Sequence, residues 1–213
     1  MTLLKIILSV PVFILLSFNA ISAQVNLDMD NEYRSVELDG FLKIYEDVDG
    51  VELGYNVKAN YLLINNLYLI AGYDSRNLKN SGFDFKTKVY SYGAGIRTTL
   101  LQEDDVIDLY AYFEVLQAAL AVESESIEFL HAENSGYEVG AGYRIITPRT
   151  PNIVTNIALL MRRYYETDFE LSDISYAVSL GEYYTPNIQL RILTKVGFPF
   201  YNPEIGLGIK AVF

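Results

Sequence analysis

The sequence predicts an all-β fold, a ten-stranded antiparallel up-and-down barrel, with eight strands as the alternative count. Apolar and polar residues alternate with period two through nearly all of the chain after Gln24. Eighteen Tyr and eleven Phe among 213 residues add the aromatic content that favours strands. The connections between the alternating runs are short at every second position, which is the parity of an up-and-down chain.

The first 23 residues stand apart. Lys5 is the only charge before Asp28, and the run from Ile6 to Phe18 is apolar apart from Ser9 and Ser17, with Pro11 inside it. It is too short and too broken for a permanent membrane helix. Asn19-Ala20-Ile21-Ser22-Ala23 then supplies the small residues of a cleavage site. Residues 1–23 therefore read as a secretory signal peptide, and 24–213 as a single barrel domain.

The strands follow in order. Val36, Leu38, Leu42 and Ile44 oppose Glu37, Asp39, Phe41, Lys43 and Tyr45, and Val51 to Leu63 alternates in the same way. A shorter run spans Leu67 to Tyr73. Further apolar faces are carried by Tyr90 to Ile96, Ile107 to Val115, Tyr137 to Ile145, Ile153 to Met161, Ile174 to Leu180, Ile188 to Val196, and Ile205 to Phe213. Each run suffices for a tilted membrane crossing of about 9–11 residues. If both termini lie on one side, connections two, four, six and eight are the short ones: Ile64 to Asn66, Leu101 to Asp105, Pro148 to Pro151, and Thr185 to Asn187. The opposite side is expected to carry Asp47 to Gly50, Ser75 to Phe85, Ala118 to Asn134, Glu166 to Ser172, and Pro199 to Pro203.

Alternation alone does not say which face meets lipid, and a soluble secreted barrel or sandwich that binds a ligand is the third reading kept open. Three features favour a membrane. The chain stops on Phe213 at the end of an alternating strand, tyrosines such as Tyr55, Tyr73, Tyr90, Tyr137 and Tyr143 sit toward the ends of the apolar face, and the other face mixes Glu, Lys, Arg, Tyr and Gly. In this pattern residues 33–213 resemble the small bacterial outer-membrane β-barrel proteins, the porin-like and OmpA/OmpX-type set. Phe213 resembles their C-terminal assembly signal, although Ala211 stands where an aromatic residue is frequent. The resemblance implies export to a Gram-negative outer membrane, contact with outer-membrane lipid and lipopolysaccharide, and handling by the barrel assembly machinery. It is a likeness of fold and transfers no functional residue.

The lumen face carries the chemistry. Gly93-Ala94-Gly95-Ile96-Arg97, Gly140-Ala141-Gly142-Tyr143-Arg144 and Gly206-Leu207-Gly208-Ile209-Lys210 repeat one arrangement, with the glycines making room for long side chains and the base joining a charge network. The expected network comprises Glu37, Asp39, Lys58, Arg97, Asp108, Glu114, Glu138, Arg144 and Lys210, with Glu52 and Glu182 as further acids. Arg97 and Asp108 are expected to face each other across the turn at Leu101 to Asp105. Tyr110 and Tyr112 are expected to line or plug the path. A barrel of about eight strands is filled by its own side chains, so ten strands leave little more space. The role that follows is structural or surface-interacting with a largely filled, charged lumen; a narrow porin-like channel for small polar solutes is the alternative.

Other classes lose ground. No cysteine is present, which excludes a disulfide framework and thiolate metal sites, and a formal net charge of −11 opposes nonspecific nucleic-acid binding. No cofactor or metal is expected. Barrel hydrolases need a base beside a Ser or Asp, and the only histidine, His131, has neither the Asp-x-His pairing of the ten-stranded proteases nor the His-x-Ser of the lipid A deacylases. Glu123, Glu125, Glu128 and Glu133 place an acidic loop at 123–133 that could take divalent cations. Asp47-Val48-Asp49-Gly50 opens like a calcium loop but reads better as a tight hairpin. Because the last strand ends the sequence and only about ten residues separate Gln24 from the first strand, no appended periplasmic domain and no plug domain are expected.

Overall fold

A computed structural model describes residues 29–45, 50–80, 83–102, 105–124, 127–147, 153–165, 172–197 and 203–213. The proposed signal peptide, residues 1–23, lies outside the described residues. One helical turn, α1 (Met29–Glu32), precedes ten strands: β1 (Arg34–Tyr45), β2 (Gly50–Ile64), β3 (Leu67–Asn80), β4 (Phe83–Gln102), β5 (Asp105–Ser124), β6 (Ile127–Thr147), β7 (Ile153–Tyr164), β8 (Ser172–Thr185), β9 (Ile188–Gly197) and β10 (Glu204–Val212). Each strand pairs antiparallel with its sequence neighbours, and β1 pairs with β10 to close the barrel. Closure leaves no sheet edge along the wall, which is what lets a sheet cross lipid. The fold is a ten-stranded antiparallel transmembrane β-barrel.

Side-chain direction follows the period-two pattern. On β1, Leu38 sits between Val57 of β2 and Ile209 of β10, all three pointing outward, while Glu37 sits between Lys58 and Lys210, all three pointing inward. The outer surface is therefore apolar: Leu38 is 51%, Leu53 59%, Ile96 62% and Leu207 60% exposed. Buried residues include charged ones, among them Lys210, Asp108 and Glu32. This inversion of a water-soluble protein is stable only where the outside is hydrocarbon. Outward rings line up toward the end opposite the termini, with Tyr55, Tyr73 and Tyr90 at centroid spacings of 5.9 and 5.0 Å and Phe113, Tyr137 and Tyr165 at 6.0 and 5.6 Å. Such rows suit the lipid–water boundary.

Two expectations need correction here. The segments Ser75 to Phe85 and Ala118 to Asn134 are mostly strand, because β3 and β4 pair as far as Asn80↔Phe83, and β5 and β6 as far as Ser124↔Ile127. Antiparallel pairing satisfies the backbone donors and acceptors that face each other within these hairpins, so they rise as ladders rather than open into long loops. The connection at Leu101 to Asp105 is likewise tighter than expected, with β4 reaching Gln102 and β5 starting at Asp105.

Candidate functional site

β4, β6 and β10 all run toward the end that holds both termini, so each Gly-x-Gly-x-base sequence delivers its base to the same level of the lumen. The glycines make that possible. A Cβ at Gly95 would collide with the Tyr68 ring, one at Gly140 with the Tyr112 ring, and one at Gly208 with the Asp39 carboxylate. The rings therefore lie flat on the wall, and the space beyond them is left to Arg97, Arg144 and Lys210.

What occupies that space is the segment just before the first strand. The Glu32 carboxylate meets Lys210 Nζ at 2.5 Å and Arg144 Nη1 at 3.4 Å, and the Tyr183 hydroxyl donates to it. Lys210 also donates to the Glu32 carbonyl at 2.9 Å and lies 3.3 Å from Glu37. Asp30 pairs with Arg97. The Tyr33 hydroxyl donates to Asp108, and the Tyr33 ring is flanked by the guanidinium groups of Arg97 and Arg144 at 4.7 and 4.8 Å. Tyr68 packs on the same ring at 4.6 Å. Burial would by itself push the Glu32 carboxyl up, but Lys210 and Arg144 hold it below its ordinary 4.5. Apolar side chains complete this end of the lumen, with Ile146, Val154, Tyr183 and Val212 in one cluster and Tyr33, Leu62, Tyr68 and Ile70 in another.

Residues 29–33 thus form a short plug that sequence reasoning missed. They are few, they have no periodicity, and their partners come from strands beginning far along the chain. Arg97 and Asp108 come within salt-bridge distance, as expected, but on a diagonal. Both face the lumen, but Arg97 is opposite Tyr110 while Asp108 is opposite Thr99, so their closest approach is a diagonal 4.0 Å. The nearer partners of Asp108 are Thr99, which donates at 2.9 Å, and Tyr33.

Farther from the plug the wall is cross-braced. Lys58 on β2 reaches Glu114 on β5 at 2.6 Å and lies over the Tyr112 ring at 4.6 Å. Arg191 pairs with Asp39 and, at 2.7 Å, with Glu37. Tyr112 donates to Glu138 at 2.8 Å, and Arg162 meets the same carboxylate at 2.8 Å. Tyr110 donates to Asn156 at 2.7 Å and stacks near Tyr112. Arg76 gathers Asp74, Glu52 and Glu204 at 2.7, 3.0 and 2.9 Å. Between the plug and these braces lies a half-enclosed cavity of about 240 Å³. Arg162 and Arg191 were legible as lumen residues, since Met161 and Ile192 beside them belong to the apolar face. Arg76 lies in the polar segment expected as a connection, where no alternation marks its face.

Glu182 shares the outward face of Ile174, Tyr176, Val178 and Leu180, so the lumen assignment is corrected by the same period two that ordered those neighbours. His131 lies within β6 opposite Ala121 rather than in a loop, and its side chain lies outside the described residues, as do those of Glu123, Glu125 and Glu128. Glu133 is exposed. Phe213 is 62% exposed on the outside, and its N–H donates to the Arg34 carbonyl at 2.9 Å.

No protein-family model matches the sequence, and no curated protein does. Solved structures do. The translocator domain of the autotransporter NalP from Neisseria meningitidis is 13% identical, with 84% of this chain and 86% of that one covered at a TM-score of 0.43. The β domain of the Bordetella autotransporter BrkA is 7% identical, with 84% and 98% covered at 0.49. Neisserial surface protein A is 13% identical, with 84% and 95% covered at 0.37. The likeness is one of overall fold, and the barrel itself is set by this chain's own strand order, closed from β1 to β10.

Proposed function

We propose that the protein is an outer-membrane barrel of structural or surface-interacting role, whose lumen is sealed at the terminal end by its own residues 29–33. The observation that carries this reading is the buried Glu32 carboxylate, held by Lys210, Arg144 and Tyr183 from three different strands. A carboxylate with three such partners does not leave them without stranding two buried bases. The reading takes residues 1–23 as the export signal, the terminal end as periplasmic and Phe213 as the assembly signal. It assigns no catalytic role to His131.

Planar-bilayer recording of the purified full-length protein tests the seal. The intact barrel is expected to be silent, and Glu32→Ala to give conductance steps; steps of equal size in the intact protein would overturn the seal. The double variant Glu32→Ala with Lys210→Met removes the stranded ammonium and keeps the test usable if the single variant assembles poorly.

A narrow channel is the second reading, favoured by the 240 Å³ cavity that already exists above the plug. The proposed surface partner is lipopolysaccharide. Lys88 points outward just beyond the row of Tyr73 and Tyr90, at the height where its phosphates would lie, and Lys79 points outward farther along β3. Divalent cations at residues 123–133 belong to the same proposal.

A further inference from the structure

The cavity above the plug has an uneven charge ledger. Its wall carries five carboxylates, Glu37, Asp39, Asp74, Glu138 and Glu204, and six bases, Lys58, Arg76, Arg144, Arg162, Arg191 and Lys195. Each of the five carboxylates has a base within 3.0 Å. Arg76, Arg162 and Arg191 take these five, and Lys58 and Arg144 pair with Glu114 and Glu32, so among the described residues Lys195 is the base without a close carboxylate. Its nearest carboxylate is Asp173 at 4.0 Å, which is 52% exposed while the Lys195 side chain is 19% exposed. Among the described residues no acceptor lies within hydrogen-bond distance of its ammonium.

The surroundings explain why Lys195 is left so. Its β10 neighbour in register is Glu204, whose carboxylate is taken by Arg76. Its β8 neighbour is Ala177, and the β7 neighbour of that residue is Ala158, so the adjoining wall is low and offers no acid. Ser179 and Asn156 add hydrogen-bonding groups to the same cavity. A lysine that is largely desolvated and has only an exposed carboxylate at 4.0 Å for a counter-ion favours the arrival of a closer one. The space of about 240 Å³ corresponds to roughly eight waters at ~30 Å³ each, enough for a small organic ion.

We propose that this cavity binds a small anionic solute entering from the end opposite the termini, with its carboxylate or phosphate group seated on Lys195 Nζ. Arg162, committed to Glu138 by two of its nitrogens, adds positive potential beside the site. The inference rests on the closure reading for its floor: with residues 29–33 in place the chamber is a dead end that holds a solute rather than passing it.

Calorimetric titration of the full-length protein, folded in detergent, tests this with succinate and inorganic phosphate as probes and erythritol as the neutral control. Saturable binding of at least one anion is expected, weakened tenfold or more by Lys195→Met, kept within about threefold by Lys195→Arg, and reduced by added salt. Saturation by succinate alone names a carboxylate solute, and by phosphate alone a phosphorylated one. The proposal is overturned if neither anion saturates, if Lys195→Met binds as tightly as the parent, or if erythritol binds equally well. Heat-dependent gel migration checks that each variant is folded. Bilayer conductance is measured separately, so an open floor with Lys195-dependent binding would end the seal alone, and a silent barrel with no binding would end this site alone.

Discussion

The two ends of the lumen use the same side chains to opposite effect. At the terminal end Arg97, Arg144 and Lys210 meet carboxylates brought in by residues 29–33, and Glu32, Asp108 and Lys210 are all 2% exposed or less. At the far end Arg76 and Arg162 meet carboxylates from the wall itself, Lys195 has only the exposed Asp173 at 4.0 Å, and the three bases keep 18–20% of their side-chain exposure. The difference teaches that the number of ion pairs says little. Water access decides whether a pair locks the structure or merely trims its charge, because stranding one partner of a dry pair is far costlier than stranding one of a wet pair.

The largest expected effect lies at the dry end. Glu32→Ala leaves Lys210 and Arg144 without their shared carboxylate and is expected to cost about 3–5 kcal/mol, read from urea unfolding of the folded barrel in detergent. A loss under about 1 kcal/mol would erase the contrast between the ends. Next comes the wall that shapes the lumen: Gly140→Val drives a side chain into the Tyr112 ring and is expected to cost about 1–3 kcal/mol in the same assay.

Acid sharpens the comparison further. The Glu32 carboxyl is held below its ordinary 4.5, so its contribution is full above that pH and drains away as pH falls through the lower folded value. Barrel stability is expected to be flat from neutrality to about pH 4.5 and to fall below it. Glu32→Ala is expected to lose part of that acid limb; an unchanged acid limb would mean other carboxylates set it. The smallest effect belongs to the wet end: Asp173→Asn, at an exposed 4.0 Å pair, is expected to shift stability by no more than about 0.5 kcal/mol.

Much of the architecture was legible because a β-strand writes its two faces directly into the sequence. Period two alone puts Leu38, Val57 and Ile209 on one surface and Arg191 on the other. Strand ends were less legible. Ser75 to Asn80 is polar apart from Leu78 and shows no alternation, so only its pairing with its neighbours shows it to be strand. The convergence of Arg97, Arg144 and Lys210 was half legible: the repeated motif put them on one face and at one end, without saying what they hold.

The sequence by itself determined the strand number, the parity of the turns and which residues face outward, since these depend on local alternation and the fixed geometry of extended chain. Tertiary structure decided the rest. Barrel closure brings Lys210, Arg144 and Tyr183 around Glu32, across separations of 112 residues and more. The same closure gives Glu204 to Arg76 and leaves Lys195 without a close carboxylate. Charge pairing inside a lumen depends on which strands face each other across it and on what excludes water, and neither is a property of any one segment.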